Sequence, residues 1–396
     1  ISCSLVGSEM CIRDREKIMK KRVAAIFMTA VVAFSMAACG SIENNGNSGN
    51  KDASVSEKEE PAEKKEDLEE ITISFAVFHN ESSLDATEFV APWLDEISAR
   101  CAEVGYDLNF DVYYGETLCS NPETYQTVME GTVDMGMFLT PLAAQFDLDE
   151  VMMFGQNGKT VYRPSRIYQD LYNEFEEIQA EWADVHVIGM VMETPQYAMT
   201  NAQFSNMKES KGIKWNTTGA ICSNILDKFG WASISCGPTD VYTYGERGML
   251  DGCGTSAKNI MSNAWYEVFD YVYNIVITNM TESIIMNQDV WDSLPADVQS
   301  VFNDMGLGSG EYILCDMYDE ALAKIEAEYW DKVINEHGMK WVELPDDVLT
   351  EYQNCIDAVA AEWAEALDAK GQPGTDLLNK YYELSEKYSA EEYSWE

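Results

Sequence analysis

Three histidines, His79, His186 and His337, are the residues from which acid–base or nucleophilic chemistry would have to be assembled. A serine or cysteine nucleophile needs a base within hydrogen-bond reach and a third group to orient that base. None of the three stands in a His-Glu-x-x-His spacing, and His186 lies inside an apolar run where a core role fits better. Ser205-Asn-Met-Lys208 matches Ser-x-x-Lys but lacks its companion motifs. The chain has no Walker loop, no Gly-x-Gly-x-x-Gly, no Gly-x-Ser-x-Gly elbow and no EF-hand loop. Carboxylate pairs carry no information among 69 acidic residues. No catalytic residue, cofactor or metal site is expected, and the chain reads as a non-enzyme.

The charge points the same way. The 396 residues hold 26 Lys+Arg against 69 Asp+Glu, a formal net charge of −43. Such a surface repels phosphate backbones, so nucleic-acid binding is excluded. With 46% hydrophobic residues the chain can bury real cores, and its length suggests two domains or one large one.

Met19-Lys-Lys-Arg22 followed by the apolar run Val23–Met36 reads as a signal peptide, too short to span a bilayer comfortably. It ends in Met36-Ala-Ala-Cys39-Gly40, which resembles the lipobox of bacterial lipoproteins, with Cys39 as the lipidated residue. Residues 1–38 are therefore set aside as upstream artefact plus signal peptide. Residues 39–69 are polar, acidic and poor in large apolar side chains, a flexible tether. Beyond Cys39, seven widely spaced cysteines without a Cys-x-x-Cys pair argue against a zinc site and for buried thiols.

From Ile71 the pattern alternates. Strands are read at 71–78, 108–112, 132–139 and 185–192, and helices at 90–104 and 123–130. Shorter units follow after Pro195: strands 212–216, 233–236 and 250–252, and helices 222–229 and 239–247. Residues 273–278 form a β-branched run that returns to the first lobe. Gly310–Gly338 reads as a long helix with Ile313, Leu314, Met317, Leu322, Ile325, Trp330 and Val333 on one side. The order defines an α/β chain with helices on the faces of its sheets.

Several stretches then carry a resemblance. Tyr114-Gly-Glu-Thr-Leu-Cys119 with Glu130-Gly-Thr-Val-Asp-Met135, Lys211-Gly-Ile-Lys-Trp-Asn216 and Asp240-Val-Tyr-Thr243 with Arg247-Gly-Met-Leu-Asp-Gly252 come first in order. Trp265-Tyr-Glu-Val268 and Trp291-Asp-Ser-Leu-Pro-Ala-Asp-Val-Gln299 follow. Together, over about residues 70–380, they resemble the solute-binding proteins of TRAP (tripartite ATP-independent periplasmic) transporters. That resemblance implies a two-lobe periplasmic-binding-protein-like fold of class II type, with hinge strands and one long helix spanning both lobes. Lobe I would hold 70–193 and 279–310, lobe II 194–278 and 339–390, and the spanning helix 311–338. It further implies a monomeric, lipid-anchored, extracytoplasmic carrier that hands a small-molecule solute to the membrane subunits of a TRAP-type transporter. Service to an ABC importer or a sensor kinase, or a secreted lipoprotein enzyme, are the alternatives.

The resemblance also implies an arginine clamp for an organic-acid carboxylate, and here the sequence departs. Where the family places its clamp the chain has Asn216, preceded by Trp215, and where a second arginine often stands it reads Gln196-Tyr-Ala-Met-Thr-Asn201. The arginines beyond the tether are Arg100, Arg163, Arg166 and Arg247. The first and last read as solvated charges, while Arg163 and Arg166 are placed in a loop within reach of a cleft. An atypical, neutral ligand follows as an expectation, with His79, Asn80, Thr140, Gln196, Trp215, Asn216, Cys253 and Thr255 as the candidate binding set.

Overall fold

The computed structural model describes residues 68–390 apart from 144, 156–160, 162, 218 and 309. The expected signal peptide, Cys39 and almost all of the tether lie outside the described residues.

Two mixed sheets organise the chain. In the first, β1 (Glu69–Val77) pairs in parallel with β2 (Tyr106–Tyr114) and β3 (Met135–Leu139). β10 (Thr281–Asn287) is inserted antiparallel between β3 and β4 (Val185–Met192), giving the order β2-β1-β3-β10-β4. The second sheet has the order β11-β9-β5-β8-β6-β7. Its strands are β5 (Gln196–Thr200), β6 (Lys214–Asn216), β7 (Ala232–Ile234), β8 (Gly252–Thr255), β9 (Tyr271–Thr278) and β11 (Lys340–Val342). Each sheet is the centre of one lobe of a two-lobe α/β fold.

The patterning explains the placement. β2, on the edge, alternates exposed and less exposed positions, as a half-covered strand should. β4 is buried along nearly its whole length because helices cover both of its faces. Where helix 90–104 was expected, the α-helix is Ala91–Glu103, entered through a π turn at Ala86–Val90 and stopped at Gly105, whose φ of +100° suits glycine. Its Trp93 is fully buried and donates its indole N–H to the Met305 carbonyl at 3.0 Å.

Some expectations are corrected. The strand read at 250–252 begins instead at Gly252, because the Leu250 N–H still reaches back to the Tyr244 carbonyl of the preceding helix, while Asp251 donates its backbone N–H to the Lys214 carbonyl. β5, β10 and β11 were not foreseen. The long helix runs Ile313–Asp331 and continues as a π turn over Lys332–Glu336. Leu314, Tyr318, Leu322 and Ile325 enter the core beside β1 and β4, while Val333 packs with Met199, Val272 and Ile260 under the second sheet. One helix thus reaches both lobes.

Candidate functional site

The chain crosses from the first sheet to the second at Glu193–Pro195 and returns at Asn279–Met280. The two crossings are joined where the Glu193 N–H donates to the Met280 carbonyl at 2.7 Å. Around this hinge the fold collects titratable groups from distant segments. His79 follows β1, Asp85 precedes the π turn, and Glu282 lies in β10. Lys258 is in the short helix Ala257–Ser262 after β8, started by Ser256, whose Oγ accepts the Asn259 N–H. Glu326 comes from the long helix.

Lys258 Nζ lies 2.7 Å from Asp85 Oδ1 and 3.0 Å from Glu193 Oε1. His79 Nε2 is 3.2 Å from Glu282 Oε2, and His79 Nδ1 is 3.7 Å from Asp85 Oδ2. Glu326 accepts the backbone N–H groups of Ala257 and Lys258 at 3.3 and 3.4 Å, where a helix start favours negative charge. Thr194 donates its hydroxyl to Glu326 at 3.3 Å. His79, Asp85, Glu193, Lys258 and Glu282 are all buried.

Burial sets the protonation states. It pushes Glu193 up to about 8 and Glu282 to about 7, and Glu326 likewise to about 7. Burial also lowers His79, so its imidazole is neutral at pH 7. Burial opposes the Lys258 charge, but Glu193, Asp85 and Glu282 outweigh it and keep the ammonium protonated. For Asp85 burial is likewise outweighed, here by Lys258 and His79, and its carboxyl stays ionised. The junction therefore holds one lysine among four carboxyl groups, and that lysine is already engaged.

The structure brings several of the sequence-derived candidates to this hinge. His79 belongs to the network. Thr140 is buried with its Oγ1 2.8 Å from Ser283 Oγ, next to Glu282. Gln196 is buried and donates to the Thr194 carbonyl at 2.9 Å. Thr255 stands opposite Tyr197 on β5, with its hydroxyl on the Ser256 carbonyl. Others lie elsewhere. Asn80 is exposed beside an open hollow of about 420 Å³ lined also by Glu81, Ser82, Tyr114, Gly115 and Thr117. Trp215 is fully buried and stacked on Trp231 at 4.3 Å, so a core neighbour already covers one of its faces. Asn216 Oδ1 accepts from the Cys236 N–H at 3.1 Å and its thiol at 3.3 Å. Cys253 faces a core of Met199, Val241 and Ile260.

Arg166 is not a loop residue. It sits in helix Pro164–Glu174, its Nε 2.7 Å from Asp316 Oδ1 and its guanidinium 4.5 Å from the Tyr312 ring centre. Arg163 immediately precedes that helix. Arg100 pairs with Glu96 at the surface, as a solvated charge does. No disulfide joins any of the seven described cysteines.

Sequence reasoning missed Asp85, Glu193, Lys258, Glu282 and Glu326. One signal was present: Glu282 is the lone acid in the run Thr281–Met286, and an acid inside a buried strand needs partners.

Two sheets joined by paired crossing strands and a shared helix, with polar groups gathered at the hinge, define a two-lobe solute-binding protein. The chain belongs to the bacterial extracellular solute-binding proteins of family 7, the DctP family, whose pattern matches residues 88–366. A TRAP periplasmic solute-binding protein of Desulfovibrio salexigens, solved in an open form, is similar at a TM-score of 0.71 and 22% identity, over 82% of this chain and 98% of that one. One from Rhodoferax ferrireducens, in complex with copurified benzoate, gives 0.69 and 19%, over 81% and 98%. A marine metagenome relative specific for aromatic acid ligands gives 0.71 and 16%, over 80% and 99%. A curated solute-binding protein of Sulfitobacter is 25% identical over 147 residues, 36% of this chain, and that match spans less than half, 44%, of the relative's length.

Proposed function

We propose that this chain captures a small solute between its two lobes outside the cytoplasm and delivers it to the membrane subunits of a TRAP-type transporter, performing no chemistry on it. Closure around the solute and binding are then one equilibrium, in which the ligand favours the closed state by its extra contacts there. The anchor in this reading is a lipid on Cys39, and residues 39–69 let the acidic body stand away from the membrane.

The solute is neutral, without a free carboxylate as its main handle. One observation carries this: Lys258, the cation at the hinge, is committed to Asp85 and Glu193, while the position of the family's arginine holds Asn216. Arginine grips a carboxylate through two parallel charge-assisted hydrogen bonds, and a single amide cannot replace that. His79, Thr140, Gln196 and Thr255 are the contacts we favour, with Asn80 and Asn216 further out and Trp215 and Cys253 as support from the core.

A thermal-shift panel in the presence of a chelator tests the reading. Neutral polar solutes raise Tm, and mono- and dicarboxylates leave it unmoved. Stabilisation by benzoate or another aromatic acid, the ligand class of two of the similar structures, would overturn the neutral assignment.

A further inference from the structure

We propose that His79, Glu193 and Glu282 form a divalent transition-metal site at the hinge. One donor atom from each lies within 4.8 Å of the other two, and all three side chains are buried. His79 Nε2 and Glu282 Oε2 already stand 3.2 Å apart, which fits two neighbouring ligands each ~2.0–2.2 Å from one ion. A small side-chain adjustment draws in the third donor. One imidazole nitrogen with two carboxylates suits Zn²⁺, Mn²⁺ or Co²⁺ better than Ca²⁺ or Mg²⁺, which prefer oxygen shells.

Two further observations point to an ion. Glu282 Oε1 is fully buried and has no hydrogen-bond partner, although a buried acceptor is ordinarily satisfied. Asp85 Oδ2 lies 3.7 Å from His79 Nδ1, too long for a hydrogen bond, and a small shift of either side chain would give the carboxylate–histidine arrangement that orients a metal-bound imidazole. Lys258 occupies Asp85 Oδ1 and Glu193 Oε1. The ligands come from the end of β1, the first hinge crossing and the strand after the second. A bound ion would therefore tie both crossings to β1. The inference does not rest on the transport reading, since the ion is held whether or not a solute is carried.

The test is titration of the chelator-treated full chain with Zn²⁺ by calorimetry, and with Co²⁺ by absorption spectroscopy, beside His79→Gln and Glu282→Gln. Circular dichroism of the metal-free proteins establishes which variants are folded, and His79→Gln preserves size if Glu282→Gln disturbs the strand. We expect one ion per chain, Co²⁺ bands typical of nitrogen and oxygen ligation, a rise in Tm, and about 100-fold weaker binding in a folded variant. A wild-type chain that binds no Zn²⁺ would overturn the proposal. So would binding that survives His79→Gln unchanged, which would place the ions on the acidic surface.

Discussion

Lys258 Nζ and Asp85 Oδ1 are 2.7 Å apart, both buried, and they come from segments that follow strands of different sheets. The contact is thus a charged bolt between the lobes, and Glu193 at the hinge shares it at 3.0 Å. Removing one member of a buried pair leaves its partner charged and unsolvated, at a cost of about 3–5 kcal/mol. Lys258→Met is therefore expected to lower unfolding stability by that order in a urea titration, and to expand the particle in small-angle scattering as the lobes part. A loss typical of an exposed pair, under ~1 kcal/mol, would show that the bolt does not hold.

Asn216→Arg places a guanidinium where the family resemblance implies an arginine clamp. We expect the variant to gain measurable affinity for a simple carboxylate, read by calorimetry, while the wild type shows none. The Cys236 N–H loses its acceptor in the variant, so a modest drop in Tm should accompany the gain.

Gly252 opens β8 where β5 and β6 flank it. A Cβ there would run into the Met199 carbonyl oxygen and lie 2.6 Å from the Trp215 ring. Backbone cannot step aside as a side-chain tip can, and overpacking of this kind costs about 1–3 kcal/mol. Gly252→Ala should lower the urea midpoint, whereas Gly212→Ala, with no atom within 4 Å of its Cβ but a φ of +77°, isolates the cost of backbone strain alone.

Two half-buried groups away from the hinge give opposite pH dependences. Burial, with Asp147 and Glu150 adding repulsion, raises Glu181 from 4.5 to about 7. The folded state holds that proton more tightly, so the stability it contributes is complete below about 4.5 and is lost as pH rises through 7. His186 is stacked on Trp291 at 3.6 Å, and burial lowers it from 6.5 to about 4. Its contribution is present above 6.5 and is lost as pH falls through 4. The two slopes overlap, so each emerges when the other is removed. Denaturant midpoints for Glu181→Gln should rise more steeply between pH 4.5 and 6.5 than those of the wild type. Those for His186→Gln should fall more steeply.

Much of the scaffold was legible because period and punctuation agreed. Phe75 and Val77 on β1, the Trp93–Leu94–Ile97–Cys101 stripe and Gly105 each announce one conformation locally. β10 was not legible: Thr281-Glu-Ser-Ile-Ile-Met286 is buried throughout, so it shows no alternation, and its polar half resembles a loop. The site was harder still. Lys258 and Asp85 are 173 residues apart and Lys258 and Glu193 are 65 apart, and among 69 acids nothing local marks which will be buried together. His79 was singled out because it ends a strand of an open sheet, where ligands gather. Its carboxylate partners became visible only once the strands were paired.

In the proposed function the hinge of this DctP-family protein holds a neutral solute without a cationic clamp. The most direct measurement is mass spectrometry of what the protein carries when purified natively in a chelator and then denatured. We expect a stoichiometric small molecule lacking a free carboxylate, and its loss when Gln196 and Thr255 are both replaced by alanine. A stoichiometric aromatic or aliphatic acid, released from metal-free protein and retained in that double variant, would contradict it.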